Sequence, residues 1–197
     1  KVPPLTDRAQ DEPHSESLAA LASLLDRYAT GSGRITPRPR GARLSEDVRK
    51  MLADALAEVE STANRAGSAT DLLVYGNGCY AVGRHADASD VYLSILQDEP
   101  SNADARFNLG LAFLRLRSPE NAVREFTDLL VQEPLIAEAF YQRGNGNDDL
   151  GQTERALADY ERAIELDPEY VQAMYNRGIL LAQAGRHQEA VAQFDKV

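Results

Sequence analysis

The chain has 197 residues, of which 43% are hydrophobic and 26% are charged, and its formal net charge is −10. This is the composition of a globular protein, and no apolar run approaches the roughly 20 residues that a membrane span needs. The single cysteine, Cys79, excludes a disulfide within the chain. We interpret it as a core residue and expect a reducing, cytoplasmic location.

The acidic excess is confined to the C-terminal two thirds of the chain. Residues 1–66 carry ten basic and ten acidic side chains, whereas residues 67–197 carry eleven basic and twenty-one acidic ones. Such a surface would repel phosphates, so we expect no nucleic-acid partner. A neutral to basic protein or peptide is the partner that the charge favours, and nothing in the sequence indicates a membrane.

The N-terminal region predicts two helices joined by a linker. Residues 1–14 are polar with three prolines and predict a flexible arm, and a helix is expected from Ser15 to about residue 29. Residues 31–41 combine Gly, Pro and Arg. They fit a basic ligand segment or nucleic-acid arm, but the absence of aromatics and the nearby acids favour a solvated linker. The chain starts without Met, and we expect a longer natural protein.

Residues 44–66 form the longest uninterrupted helical pattern of the chain. An apolar stripe that includes Met51, Leu52 and Leu56 follows helical spacing and needs a partner. One interpretation is an N-terminal cap that covers the end of the following repeats, and the other is a dimerisation helix. The cap is favoured, because the first repeat of a solenoid needs covering.

Four columns of residues recur every 34 residues from residue 69 onward. They are Gly76, Gly110, Gly144 and Gly178; Ala88, Ala122, Ala156 and Ala190; Tyr92, Phe126, Tyr160 and Phe194; and Pro100, Pro134 and Pro168. A period of this length is typical of a solenoid. The repeats are 69–102, 103–136, 137–170 and an incomplete 171–197, each with a first helix (A) and a second helix (B).

The columns suggest how each pair of helices packs. Gly at position 8 is expected to let helix A approach the small Ala of helix B, with the aromatic residue filling the space further along. Gly83, Gly151 and Gly185 predict C-caps, and Pro at position 32 ends helix B. Ser68 and Ser101 each precede an acid by three residues, which predicts two capping boxes.

This pattern resembles the tetratricopeptide repeat family. Phe140 stands at position 4, Leu109-Gly110 at positions 7–8 and Phe113 at position 11, and the resemblance covers residues 69–197. It implies an all-α fold, a right-handed α-solenoid of helix-turn-helix repeats with N-terminal capping helices.

The resemblance also implies where function lies. In the family the A helices line a concave groove that binds peptides, and the residues that face it are at positions 2, 5, 6, 9, 12 and 13. Amide side chains there can pair with a peptide backbone, and aromatic ones can hold side chains. The candidate groove residues are Asn77, Phe107, Asn108, Tyr141, Gln142, Asn145, Tyr175 and Asn176.

Repeat 3 contains a local conflict with the helical pattern. Residues 144–149 read Gly-Asn-Gly-Asn-Asp-Asp within a predicted A helix. They indicate either a weak helix that acts as a hinge or a cation site built from Asn145, Asn147, Asp148 and Asp149. The spacing does not fit an EF-hand loop, which disfavours the cation site.

No set of residues indicates catalysis. The three histidines, His14, His85 and His187, lie in the arm and at the starts of B helices, and no nucleophile or phosphate-binding loop accompanies them. We therefore expect no enzyme, cofactor or metal. The favoured function is a protein-interaction scaffold that binds a peptide or helical segment; the alternatives are a self-association module and the regulatory region of a larger enzyme.

Overall fold

The computed structural model describes residues 8–28, 31–37, 44–62 and 68–195, and within these ranges the regular structure is entirely α-helical. Ten helices occur there: α1 (Arg8–Tyr28), α2 (Glu46–Thr62), α3 (Ala69–Val82), α4 (His85–Asp98), α5 (Ala103–Arg115), α6 (Pro119–Gln132), α7 (Ala137–Asp149), α8 (Thr153–Leu166), α9 (Val171–Gln183) and α10 (His187–Phe194). None of the helices among these residues is both long and apolar enough to cross a membrane.

The chain divides into two compact units, Lys1–Asn108 and Leu109–Val197. We call them the N-terminal unit and the C-terminal unit, and the boundary between them falls within α5. In the N-terminal unit α1, α2 and α3 pack against one another, and α3 packs against α4. In the C-terminal unit each of the helices α6 to α10 packs against the next.

The helix pairs follow the 34-residue register closely. The A helices α3, α5, α7 and α9 begin at positions 69, 103, 137 and 171, which are the first residues of the repeats. Gly83, Gly151 and Gly185 end the turn between helices with φ of 92°, 69° and 76°, the left-handed region that glycine adopts without steric cost. Arg117 adopts the same region, at φ 58°, in the repeat that lacks this glycine.

The periodic glycines are explained by the aromatic column and not by the alanine column. A Cβ atom on Gly76 would lie 2.7 Å from the ring of Tyr92, and one on Gly110 would lie 2.7 Å from the ring of Phe126. Gly144 and Gly178 face their own repeat's aromatic ring in the same way. The prediction that these glycines face alanine is therefore wrong, because the ring reaches back across helix A and leaves no space for a side chain.

The two predicted capping boxes have different outcomes. Ser68 forms the full box with Asp71 at the start of α3. At the start of α5 the capping acceptor is Asn102 Oδ1, which receives the Ala105 N–H at 2.9 Å, so the assignment to Ser101 is wrong by one residue. Asp104, the acid of that expected box, instead accepts a hydrogen bond from Arg34, which precedes the repeats.

Helix α1 is longer than the sequence pattern predicts. It begins at Arg8, so the flexible arm expected over residues 1–14 is wrong for residues 8–14, and residues 1–7 lie outside the described part of the chain. Arg, Ala, Gln and Glu in this stretch are good helix formers. The prediction gave too much weight to Pro13, which lies inside the helix.

Helix α2 uses its apolar stripe within the chain. Leu52, Leu56 and Val59 are buried, and Leu56 meets Leu21 of α1 over Gly78 of α3. Met51, which the sequence places on the same stripe, is 44% exposed. The packing of α2 is that of the cap interpretation, in which the stripe covers the first A helix.

Repeat 3 keeps a continuous A helix despite its Gly-Asn-Gly stretch. Helix α7 runs without a break through residues 144–149. Gly146 lies against Val123, while the buried Asn147 donates to Asp159 at 2.8 Å. Asp159 also receives a bidentate bond from Arg143, with a shortest distance of 2.6 Å. This packing and bonding gives the segment a structural explanation, and the backbone shows none of the irregularity that a hinge would require.

Candidate functional site

Three fully buried side chains form a hydrogen-bonded cluster in the N-terminal unit, which we call the N-terminal triad: Asn77, Tyr92 and Asn108. The Tyr92 hydroxyl donates to Asn77 Oδ1 at 2.7 Å, and Asn108 Nδ2 donates to the same oxygen at 3.0 Å. Because its oxygen is fixed by two donors, the Asn77 amide has one orientation, with its NH₂ group directed away from Tyr92. Burial raises the pKa of Tyr92 well above its ordinary value, so its hydroxyl keeps its proton and remains a donor.

The N-terminal triad holds the backbone of residues 31–35. Asn77 Nδ2 donates to the carbonyl oxygens of Gly31 and Gly33, at 3.0 and 2.7 Å. Asn108 Nδ2 donates to the carbonyl of Gly33 at 3.0 Å, and Asn108 Oδ1 accepts the N–H of Ile35 at 2.8 Å. Asn108 therefore pairs with this backbone as a neighbouring peptide strand would, through one donor and one acceptor.

Side chains of the same segment add a charged and an apolar contact. Arg34 Nε lies 2.8 Å from Asp104 Oδ1, and the Arg34 guanidinium lies 5.6 Å from the centre of the Phe107 ring. Ile35 is only 1% exposed. Phe107, expected to hold side chains of a bound peptide, is fully buried and holds Arg34 by a cation–π contact.

The solvated-linker interpretation is therefore wrong for residues 31–35. Gly31 and Gly33 are not a spacer, because their carbonyls accept hydrogen bonds from the amides of α3 and α5. Ser32 bonds the Asp26 carboxylate of α1, and Ile35 is buried. The backbone also turns at Gly31, whose φ of 89° strongly favours glycine. Residues 38–41 of the predicted linker lie outside the described residues.

A second cluster of the same composition lies in the C-terminal unit, and we call it the C-terminal triad: Asn145, Tyr160 and Asn176. The Tyr160 hydroxyl donates to Asn145 Oδ1 at 3.0 Å, and Asn176 Nδ2 donates to the same oxygen at 3.0 Å. Each of these residues stands 68 positions after its counterpart in the N-terminal triad. The C-terminal triad therefore reproduces the N-terminal triad two repeats later in the sequence.

The amide groups of the C-terminal triad have side-chain acceptors rather than a peptide backbone. Asn145 Nδ2 donates to Gln142 Oε1 at 3.1 Å, and Asn176 Nδ2 also lies 3.2 Å from the Tyr141 hydroxyl. Tyr141 is buried and its ring packs against those of Tyr160 and Tyr170. Gln142 additionally donates to Glu138 at 2.7 Å.

Tyr175 is the one candidate groove residue of the predicted set that is largely exposed. Its side chain is 53% accessible, and its ring lies 6.0 Å from that of Phe194. Its counterpart two repeats earlier is Phe107, which is fully buried. Of the three aromatic candidates at position 5, Phe107 and Tyr141 are therefore buried and Tyr175 is exposed.

The residue that completes each triad, the tyrosine of helix B, was missed by sequence reasoning. The signal is present: repeats 1 and 3 have Tyr at position 24 together with Asn at position 9. Repeat 2 has Phe126 with Leu111, and repeat 4 has Phe194 with Ile179. A tyrosine hydroxyl at position 24 therefore occurs only in the repeats whose position 9 carries an amide that can accept it.

Cys79 has the character of a core residue. It is fully buried, and burial raises the pKa of its thiol to about 11. A thiol of this kind is protonated at neutral pH and is a poor nucleophile. Cys79 is therefore not a candidate for catalysis or metal binding.

Comparisons with known proteins agree on the repeat. A tetratricopeptide repeat model matches residues 79–135 and 141–197, more than half of the chain. No curated protein sequence matches the chain significantly.

Solved structures of low sequence identity share the fold. A MamA double mutant is 18% identical, with 93% of this chain and 92% of that one aligned at a TM-score of 0.73. MamA from residue 41 to the end, from Desulfovibrio magneticus RS-1, is 18% identical over 93% and 92% of the two chains, at a TM-score of 0.67. YrrB, described as a TPR protein with an unusual peptide-binding site, is 24% identical over 77% and 75%, at a TM-score of 0.60.

Proposed function

Because the chain belongs to the tetratricopeptide repeat family, we propose that it is a protein-interaction scaffold whose A helices bind a peptide or helical segment of a partner. The proposed binding residues lie at positions 5, 6 and 9 of the repeats. They are Asn77, Phe107, Asn108, Tyr141, Gln142, Asn145, Tyr175 and Asn176.

One observation carries this proposal: the amides of Asn77 and Asn108 hold the backbone of Gly31–Ile35. All four hydrogen bonds go to backbone groups, three of them to carbonyls and one from an N–H. A site of this kind recognises a chain segment through its peptide groups, which every sequence offers. Neighbouring side-chain contacts then supply selectivity, as Asp104 does for Arg34.

The charge of the chain supports a neutral to basic partner. The repeats carry the whole acidic excess, and an A-helix carboxylate, that of Asp104, holds the cation of Arg34. We therefore propose a protein or peptide partner and neither nucleic acid nor a membrane. A non-catalytic role without a cofactor, and a cytoplasmic location, belong to the same proposal. The peptide site of YrrB is a property of that protein, and it supports this proposal by analogy.

Selection from a random peptide library displayed on phage tests the proposal. The wild-type chain should enrich extended, glycine-containing and non-acidic peptides. A variant with both Asn108→Ala and Asn176→Ala should lose this enrichment, because each substitution removes an amide proposed to bond the peptide backbone, at about 1 kcal/mol for each hydrogen bond. The matched control is Gln188→Ala, an exposed amide on α10 outside the proposed set.

Circular dichroism should show all variants folded. Enrichment of the same peptides by the double variant would place binding elsewhere and overturn the proposal. Enrichment of nothing by the wild type would overturn it as well.

A further inference from the structure

We propose that the C-terminal triad, Asn145–Tyr160–Asn176, is the site that receives a partner peptide, a glycine-containing segment for which arginine is not required. This inference rests on the proposed function and assigns its binding to one of the two triads. The partner class follows from the segment that the equivalent residues already hold in this chain.

The first step is the equivalence of the two triads. Both consist of a tyrosine hydroxyl and an asparagine Nδ2 that donate to one asparagine oxygen. The Asn–Asn distance is 3.0 Å in each. Because that oxygen is fixed in the same way, the NH₂ group of Asn145 is oriented within its cluster as that of Asn77 is. Two groups of the same kind in the same arrangement can hold the same ligand, the carbonyls of a peptide backbone.

The second step is accessibility. Asn77 and Asn108 are fully buried and already bonded to residues 31–35, so a partner would first have to displace the chain's own segment. In the C-terminal unit Asn176 is half-buried and Tyr175 is 53% exposed. Asn145 and Gln142 are 5% and 6% exposed, so a peptide carbonyl reaches the Asn145 amide when the Gln142 side chain that now accepts from it rotates away.

The third step is selectivity for the side chains of the peptide, which follows from comparing residues that stand 68 positions apart. Arg34 of the bound segment pairs with Asp104 at position 2 and lies over Phe107 at position 5. The counterparts in repeat 4 are Gln172 and Tyr175. The carboxylate is therefore replaced by a neutral amide while an aromatic ring is kept. A peptide at the C-terminal triad gains no ion pair from arginine, and a neutral polar or apolar residue fits that place equally well.

The test uses two synthetic peptides against the full chain, with NMR chemical shifts as the readout. One peptide is the acetylated and amidated copy of residues 31–37, GSGRITP, and the other has Gln in place of Arg. Both should shift amide signals of α7 and α9 and bind the wild type within about twofold of each other. Asn176→Ala should weaken both by about tenfold, the effect of losing about 1.4 kcal/mol of backbone hydrogen bonding.

A gain-of-function variant makes the test specific. Gln172→Asp restores at repeat 4 the carboxylate that Asp104 supplies at repeat 2, and its position in the first turn of α9 is favourable for an acid. It should tighten binding of the arginine peptide by about three- to fivefold, as expected for one exposed ion pair, and leave the glutamine peptide unchanged. The matched control is Gln183→Asp, an exposed glutamine at the other end of the same helix.

Three outcomes would overturn the inference. The first is an absence of shifts in α7 and α9 at millimolar peptide, and the second is binding that Asn176→Ala leaves unchanged. The third is a set of shifts confined to α3 and α5 and abolished by Asn108→Ala, which would place the exchangeable site at the N-terminal triad. In that third case the proposed function would stand while this assignment fails, whereas the library selection tests the proposed function itself.

Discussion

The N-terminal and C-terminal units contain the same triad in two different situations. In the first, Asn77 and Asn108 hold the backbone of the chain's own residues 31–35. In the second, Asn145 and Asn176 donate to neighbouring side chains. The comparison shows that the same three-residue cluster holds a backbone segment in one unit and bonds neighbouring side chains in the other. Position 9 carries the central asparagine in repeats 1 and 3, and Leu111 and Ile179 in repeats 2 and 4.

The largest difference between the units should appear on truncation of the central asparagine. Asn77→Ala leaves the Tyr92 hydroxyl and the Gly31 carbonyl without this partner, so we expect the free energy of unfolding to fall by about 4 kcal/mol. Asn145→Ala also removes the acceptor of a tyrosine hydroxyl, but no donor to a peptide carbonyl. We expect the free energy of unfolding to fall by about 2 kcal/mol. Urea unfolding measures both; equal losses would show that Gly31–Ile35 contributes nothing to the N-terminal triad.

Ile35→Ala tests directly whether the segment belongs to the folded structure. Because Ile35 is 1% exposed, its truncation should cost about 3 kcal/mol, or roughly 6–12 °C in melting temperature for a chain of this size. Thr36→Ala is the matched control, since the neighbouring Thr36 is exposed and its loss should be almost neutral. A neutral Ile35→Ala would restore the solvated-linker interpretation.

The two tyrosine hydroxyls should contribute equally to the free energy of unfolding. Tyr92→Phe and Tyr160→Phe each remove one donor to an asparagine oxygen and leave the ring against its glycine. We expect each to lower the free energy of unfolding by about 1 kcal/mol. Thermal unfolding of the two variants side by side measures this, and a marked inequality would mean that the triads are not equivalent.

The smallest expected effect concerns Arg34, which has no counterpart in the C-terminal unit. The Arg34–Asp104 pair is partly exposed, with side-chain accessibilities of 30% and 43%. Arg34→Ala should therefore cost only about 0.5–1 kcal/mol, and the difference from the wild type should shrink in high salt. An effect that is large and independent of salt would assign the role of Arg34 to packing on Phe107 instead of charge.

Much of the fold was predictable because the repeat places apolar and turn residues at fixed intervals. The starts of the A helices and the left-handed Gly83 follow from that register. The asparagines of both triads were also selected as candidates by position alone. Their tyrosine partners were not, because a tyrosine at position 24 fills the core whether or not its hydroxyl is bonded.

The binding of residues 31–35 to α3 and α5 could not be predicted from the sequence. The segment forms four hydrogen bonds with Asn77 and Asn108, all through its own backbone groups. Such groups are the same in every residue. A Gly-Ser-Gly stretch without periodicity therefore looks like a spacer even when it is bound. The only sequence signals are Ile35, an isolated apolar residue, and Arg34, and neither identifies its distant partner.

The most direct test of the account is hydrogen exchange of the Ile35 amide, measured by NMR. Its N–H donates to Asn108 Oδ1 at 2.8 Å inside a buried cluster. We expect exchange at least about a hundredfold slower than in an unstructured peptide, which corresponds to an opening free energy of about 2.7 kcal/mol. Asn108→Ala should abolish this protection and Asn176→Ala should leave it intact. Exchange at the unstructured rate in the wild-type chain would contradict the claim that the asparagine amides bind a peptide backbone.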